Sequence, residues 1–214
     1  KDDVIVGAPF DDNNGSQSGS AFIFFGGITG TKGADDADVT LNGQSASDYF
    51  GHAVASAGDF NGDGIDDIIV GASNDFGNAD DSGSAFIFFG GITGTKTADA
   101  DADVILNGQS SANFGQSVAS AGDFNSDGKD DVIIGSNTLT DKGTAYIFFG
   151  GITGTKTADA DADIIIDSQD NYDDFSNSVA SGDFNGDGTS DVIIGGKQTH
   201  RYVAPTLSGT SYIF

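Results

Sequence analysis

The chain has 214 residues with 8 Lys and Arg against 33 acidic residues, every one of them Asp, giving a formal net charge of −25. That balance argues against nucleic-acid binding, which needs clustered Lys and Arg, and against unaided docking on an anionic membrane surface. There is no Cys, which excludes disulfide, thiol and thiolate-metal chemistry, while 33 Gly beside the Asp favour turns and metal loops over helices.

A first strand is predicted at Val4-Ile5-Val6-Gly7, after Lys1-Asp2-Asp3. A polar loop over residues 11–18 then leads to Gly19-Ser20-Ala21-Phe22-Ile23-Phe24-Phe25, a β-branched and aromatic run whose lack of alternation predicts a strand covered on both faces. Gly26-Gly27-Ile28-Thr29-Gly30-Thr31-Lys32 reads as a glycine-rich turn. The Ala/Asp stretch after it, clearest in the next copy as Ala98-Asp99-Ala100-Asp101-Ala102-Asp103, has period two with charge on one face. It predicts the extended approach to an outer strand at a solvent edge. A second polar loop, residues 42–48, ends in Tyr49-Phe50-Gly51, and Ala53-Val54-Ala55-Ser56 predicts a strand of small residues suited to a crowded inner position. Asp59-Phe60-Asn61-Gly62-Asp63-Gly64-Ile65-Asp66-Asp67 follows and runs into Ile68-Ile69-Val70-Gly71, which aligns with the first strand and restarts the cycle.

The repeat is about sixty residues long. Later small-residue strands are Ser117-Val118-Ala119-Ser120 and Ser178-Val179-Ala180-Ser181. The last continues as Ser181-Gly182-Asp183 without the alanine found at Ala57 and Ala121, so a β-bulge is expected to differ there. A four-stranded unit that covers its faces by stacking on its neighbours is a propeller blade. The expectation is an all-β β-propeller segment of four-stranded antiparallel blades: a partial blade over 1–49, whole blades over 50–113 and 114–174, and a partial blade over 175–214.

The nonapeptide has its own chemistry. Asp59, Asn61, Asp63 and Asp67 place oxygens at positions one, three, five and nine, and Gly64 at position six lets the backbone turn so that the Ile65 carbonyl also points inward. Asp123, Asn125, Asp127 and Asp131 with the Lys129 carbonyl repeat the set, as do Asp183, Asn185, Asp187 and Asp191 with the Thr189 carbonyl. An all-oxygen cage of flexible size suits Ca2+ better than Mg2+. The helix-loop-helix calcium signature needs Glu at position twelve, where this chain has Val70, Ile134 and Ile194, so the ninth Asp must close the cage on a loop that enters a strand. A single copy reads equally well as a solvated turn; three in register favour three calcium sites. Asp3 is an orphaned ninth position, because the earlier positions of its loop are absent.

Together these residues resemble the FG-GAP repeats of the integrin alpha-subunit propeller and its bacterial relatives. Phe50-Gly51 and Phe114-Gly115 supply the FG element and Phe175-Ser176 departs from it; Gly7-Ala8-Pro9 supplies GAP, with Gly71-Ala72-Ser73, Gly135-Ser136 and Gly195-Gly196 departing. The resemblance implies a propeller, usually seven-bladed, with calcium loops on its lower face. It also implies ligand contacts on the upper face, at loops 11–18, 74–82, 137–142 and 198–206 and at 44–48, 109–113 and 169–174. Closing such a ring calls for further blades from a longer chain or from identical copies, and a start at Lys1 rather than Met fits a longer chain.

His52 stands where other copies have Gln116 and Asn177 and reads as a polar surface position. His200, beside Arg201 and Tyr202, reads as part of a loop insertion. The Asp pairs that glycoside hydrolysis would need are absorbed by the metal loops, and no phosphate loop or nucleophile elbow occurs, so no enzymatic activity is expected. The expected function is a calcium-stabilised adhesion or ligand-binding module, secreted or at the cell surface and without membrane insertion. Its partner would be a protein or glycan on the upper loops. The alternatives are a structural repeat array in a surface or filament protein, a lectin-like module of a larger secreted protein, which the absence of Trp weakens, and an accessory domain of a secreted hydrolase.

Overall fold

The computed structural model describes residues 1–75, 82–109, 113–137, 142–168, 174–197 and 209–214. In the first repeat β1 (Val4–Ala8), β2 (Ser20–Phe24) and β3 (Val39–Asn42) pair antiparallel in that order. The second repeat holds β4 (Phe50–Gly58), β5 (Asp67–Ala72), β6 (Ser84–Phe88), β7 (Gly94–Thr97), a one-turn helix α1 (Ala98–Asp101) and β8 (Val104–Asn107). The third follows the same plan with β9 (Ser117–Gly122), β10 (Asp131–Ser136), β11 (Thr144–Phe148), β12 (Gly154–Thr157), α2 (Ala158–Asp161) and β13 (Ile164–Asp167). β14 (Ser178–Gly182), β15 (Asp191–Lys197) and β16 (Gly209–Ile213) form the last sheet.

The all-β class holds, and within each repeat the sheet is an antiparallel meander, β4-β5-β6-β8 in the second and β9-β10-β11-β13 in the third. These sheets are consistent with propeller blades; the described residues do not close a ring. Two features depart from the expected blade. First, the end of the glycine-rich turn is a strand that crosses to the neighbouring repeat. β7 pairs parallel with β3, Val39 opposite Gly94 through Asn42 opposite Thr97, and β12 pairs parallel with β8 in the same way. The outer strands β3 and β8 would otherwise present open edges, and the short Thr-containing strands cover them.

Second, the Ala/Asp run is helical rather than extended. Alanine is the best helix former, and the second and third Asp of the run have separate structural tasks that period two alone does not reveal. In the second repeat Ala98 is buried, Asp101 Oδ2 accepts the Thr97 N–H at 2.8 Å, and Asp103 Oδ2 accepts the Phe89 N–H at 2.8 Å. The third repeat uses Ala158, Asp161 and Asp163 identically.

Three apolar cores lie between successive sheets rather than within them. Ile23, Val39 and Leu41 meet Val70, Phe86 and Phe88 in the first; Ile69, Ile87 and Leu106 meet Val132, Ile134 and Phe148 in the second; Ile133 and Ile147 meet Val192 and Ile194 in the third. The aromatic strand β6 is buried along its whole length, as a strand covered on both faces must be. Phe50, Phe114 and Phe175 are 1%, 0% and 2% exposed and plug these cores.

The glycine after each plug is a contact requirement. Gly51 and Gly115 sit at φ +84° and +83°, and a Cβ on either would strike the carbonyl oxygen of Ser20 or Ser84 in the preceding sheet. Conversely a Cβ on Gly7 or Gly71 would strike the carbonyl oxygen of Gly51 or Gly115. The two motif glycines therefore interlock neighbouring sheets backbone to backbone. Where the third copy has Ser176 at φ +66°, its carbonyl still fills the space a Cβ on Gly135 would take, and hydrogen bonds are added: Ser176 Oγ donates to Ser136 O and accepts from Ser136 N–H, both at 3.1 Å. The register shifts at Ser56/Gly58 and Asp131/Val132 mark bulges that the β14–β15 pair lacks, in line with its missing alanine.

Candidate metal centre

Each nonapeptide forms the hairpin between the inner strand of a repeat and the next strand: β4 to β5, β9 to β10 and β14 to β15. The three loops are folded alike. Asp59 Oδ1 accepts the Gly62 and Asp63 N–H groups at 2.9 and 2.8 Å, and its Oδ2 accepts Gly64 N–H at 2.9 Å. Asp123 accepts from Asp127 and Gly128 N–H, and Asp183 from Gly186, Asp187 and Gly188 N–H. The third-position oxygen repeats the pattern, with Asp63, Asp127 and Asp187 N–H donating to Asn61, Asn125 and Asn185 Oδ1 at 2.7, 2.9 and 2.8 Å. At the fifth position Asp63, Asp127 and Asp187 Oδ1 accept the Ile65, Lys129 and Thr189 N–H. The turn needs a left-handed residue at position six, and Gly64, Gly128 and Gly188 have φ near +90°, between +87° and +91°.

The ninth residue does more than sequence reasoning assigned to it. Asp67 is buried; its Oδ1 accepts Gly90 N–H at 2.7 Å and its Oδ2 accepts Asn61 N–H at 3.0 Å, so it ties the loop to the glycine turn after the third strand of the sheet. Asp131 makes the same tie to Gly150 and also accepts Phe124 and Asn125 N–H. Asp191 accepts Phe184 and Asn185 N–H within its own loop. Asp3 makes the same tie, to Gly26 N–H at 2.7 Å. The signal was present in the sequence, since a Gly-Gly pair follows the aromatic strand after Asp3, Asp67 and Asp131.

The electrostatics are those of crowded carboxylates. Burial pushes the Asp67 carboxyl above its ordinary value; the Gly90 and Asn61 amides oppose the rise, and the nearby Asp63 and Asp59 charges add to it. Asp131 is raised chiefly by burial too, with Asp127 adding to it. Asp187, fully exposed, is lowered by hydrogen bonds from the Thr189 hydroxyl and amide.

The donor set fits calcium: hard oxygens only, on a short loop whose carboxylates repel one another. A carboxylate has about four lone-pair positions, so the three amide bonds at Asp59 leave one for a cation. Among the described residues no three carboxylate, His or Cys side chains are already gathered as metal ligands. The amide bonds fold the loops, and gathering the oxygens would fall to the ion.

At the opposite strand ends, loops 11–18 and 44–48 are tied together. Ser47 N–H donates to Ser16 O at 2.9 Å, and the Tyr49 hydroxyl donates to Gln17 Oε1 at 3.3 Å. Asn74 Nδ2 joins them from the next repeat through Ser47 O at 2.9 Å. Phe10, 67% exposed, packs edge-on against Tyr49 with ring centroids 5.5 Å apart, an apolar contact point on this face that sequence reasoning missed. The clue was an aromatic residue directly after Gly7-Ala8-Pro9 in an otherwise polar loop. Loop segments 76–81, 110–112, 138–141, 169–173 and 198–208, which carry most of the other expected ligand loops and His200, lie outside the described residues. His52 is exposed on β4, its amide bonded to Tyr49 O. No described helix is long and apolar enough to cross a membrane.

Stacked four-stranded sheets, glycine joints and repeated acidic hairpins define a β-repeat protein of blade-like units. Its particular family follows from comparison: the FG-GAP repeat matches residues 50–88, 114–148 and 175–214, and a second FG-GAP repeat description matches 1–24. The chain belongs to the FG-GAP repeat family. It is 34% identical to phosphatidylinositol-glycan-specific phospholipase D of Bos taurus over 76% of its length. It is 33% identical to integrin alpha-3 of Cricetulus griseus over 71% and 30% identical to integrin alpha-5 of Xenopus laevis over 70%. It spans only 21%, 13% and 14% of those relatives.

Proposed function

We propose that the chain is a stretch of calcium-stabilised propeller blades that serves as an adhesion or ligand-binding module, secreted or at the cell surface, with no catalytic role of its own. The observation that carries this reading is the threefold recurrence of one loop fold, with oxygen donors at Asp59, Asn61, Asp63 and Asp67 and their counterparts in two further copies. In each loop those side chains and the carbonyls of Ile65, Lys129 or Thr189 would hold the ion. Bound calcium would neutralise the clustered carboxylates. The ninth Asp then carries that order into the sheet through Gly90 or Gly150 N–H. The opposite face, with Phe10 and Tyr49, is where a protein or glycan would be met. The integrin alpha relatives support the ligand-binding part of this reading.

The phospholipase relative supports a second reading, in which the same blades accompany a catalytic domain of a longer protein.

Thermal melts with calcium and with chelator test the proposal. Extracellular calcium modules bind at about 0.1–1 mM, so at ten times the dissociation constant each site contributes roughly 1.4 kcal/mol, about 4 kcal/mol for three. A melt several degrees higher in calcium is expected. Identical melts in both conditions would refute the calcium reading.

A further inference from the structure

We infer that Asp130 couples the first two cation loops, so that an ion in one raises the affinity of the other, while the third loop binds on its own. The inference rests on the calcium reading above and concerns how those sites are regulated.

The loops of the second and third repeats touch through specific backbone groups. Asp59 N–H donates to Asp130 Oδ2 at 2.8 Å, Asp130 N–H donates back to Asp59 O at 3.2 Å, and Gly151 N–H donates to Phe60 O at 2.7 Å. The Lys129 stem lies against Gly62. Residues seven and eight of one cage thus hold residues four and one of the other, and Gly151 of the glycine turn holds residue two. Asp59 is the ligand around which the first loop is wrapped, and Asp130 stands between Lys129, whose carbonyl is a candidate ligand, and Asp131, which closes the second cage. A reciprocal pair of hydrogen bonds makes the two backbones one unit. Ordering either loop orders part of the other, and linkage makes the effect equal in both directions.

The next joint lacks this device. Ser190 occupies the eighth position there and meets Gly122 as Asp130 meets Gly58, yet among the described residues no hydrogen bond joins Ser190 to Asp123. The chain therefore contains its own contrast, a joint of similar approach that, among the described residues, lacks both the carboxylate and the returning backbone bond.

The experiment is a calcium chloride titration of the whole 214-residue chain, followed by 15N-resolved NMR at the amides of Gly64, Gly128 and Gly188, one reporter per loop. Gly64 and Gly128 are expected to move together along a curve steeper than single-site binding, and Gly188 along a single-site curve. Asp130→Ser separates the first two curves, makes each single-site, and raises the Gly64 midpoint about five-fold, the low end of measured couplings between sites. Ser190→Asp, which supplies the missing acceptor, brings Gly188 into step with Gly128 and decides the matter if Asp130→Ser does not fold. Three single-site curves in the parent chain, unchanged by either substitution, overturn the coupling while leaving three calcium sites in place. No movement at any reporter up to about 10 mM, well above the affinity of extracellular calcium modules, overturns the calcium reading and the coupling together.

Discussion

The joint between the second and third repeats and the joint between the third and fourth follow one plan with different residues, and the difference separates what the fold requires from what it tolerates. In the first, Phe60 from the acidic hairpin is fully buried between the sheets, Gly115 meets Ser84 backbone to backbone, and Asp130 bonds the neighbouring hairpin. In the second, the equivalent Phe124 is only half-buried, Ser176 replaces the motif glycine, and Ser190 replaces the bonding carboxylate. Close contact between sheets is common to both. Both joints use a missing side chain, Gly71 against the Gly115 carbonyl and Gly135 against the Ser176 carbonyl, and the second adds hydroxyl hydrogen bonds.

The largest expected effect is at the buried hairpin aromatic. Phe60→Ala should cost about 3–5 kcal/mol in chemical denaturation, the range for truncating a buried Phe, whereas Phe124→Ala should cost roughly half or less, in keeping with its exposure. Equal losses would mean that the two joints are not unequal in packing.

Next comes the serine that stands in for glycine. Ser176→Ala keeps the unfavourable φ of +66° and removes both hydrogen bonds to Ser136, for a loss of about 1–3 kcal/mol. Ser176→Gly removes the same bonds but also the left-handed strain, which is on the order of 1–2 kcal/mol, so it should be the milder change. A glycine variant less stable than the alanine one would show that strain plays no part there.

The smallest effect concerns the one-turn helices. Asp99 has its carboxyl raised above the ordinary 3.8 by partial burial first and the Asp75 charge second. Its counterpart Asp159 instead accepts the Tyr146 hydroxyl at 2.8 Å, and burial together with that bond pushes the phenol well up. A raised folded value means that the Asp99 contribution is fully present below its unfolded value of 3.8 and is lost as pH rises through the folded value. Asp99→Asn should therefore flatten stability against pH just above 3.8 and stabilise the chain at pH 7, by about 0.5 kcal/mol or less for so exposed a group. Asp159→Asn should not stabilise. Denaturation curves between pH 3.5 and about 7 read both, a span that brackets the ordinary carboxylate range.

Much of this was legible in the sequence because the repeat states each rule several times. Phe50-Gly51 beside Gly7, and the nonapeptide with its ninth Asp, recur from repeat to repeat, and recurrence identifies positions where a backbone approach or an oxygen is required. The bulge difference could be read from one missing alanine at Gly182. The helical turn at Ala98–Asp101 could not, since four residues of alternating Ala and Asp are too short to show a helical period and equally satisfy a strand pattern. Nor could β7, because its partner β3 belongs to the preceding repeat and Gly-Thr-Lys-Thr carries no mark of pairing outside that context. The coupling of adjacent hairpins through Asp130 was hidden for the same reason. A residue at position eight looks like a spare acid until the neighbouring sheet is in place.

The most direct test of the central claim is a crystal structure grown in about 10 mM calcium, well above the affinity range of extracellular calcium modules. An ion is expected in each nonapeptide loop with six or more oxygen ligands, drawn from Asp59, Asn61, Asp63, Ile65 and Asp67 and from the matching residues of the other two loops. Loops that keep their amide-bonded form, with no ion bound at that concentration, would contradict it.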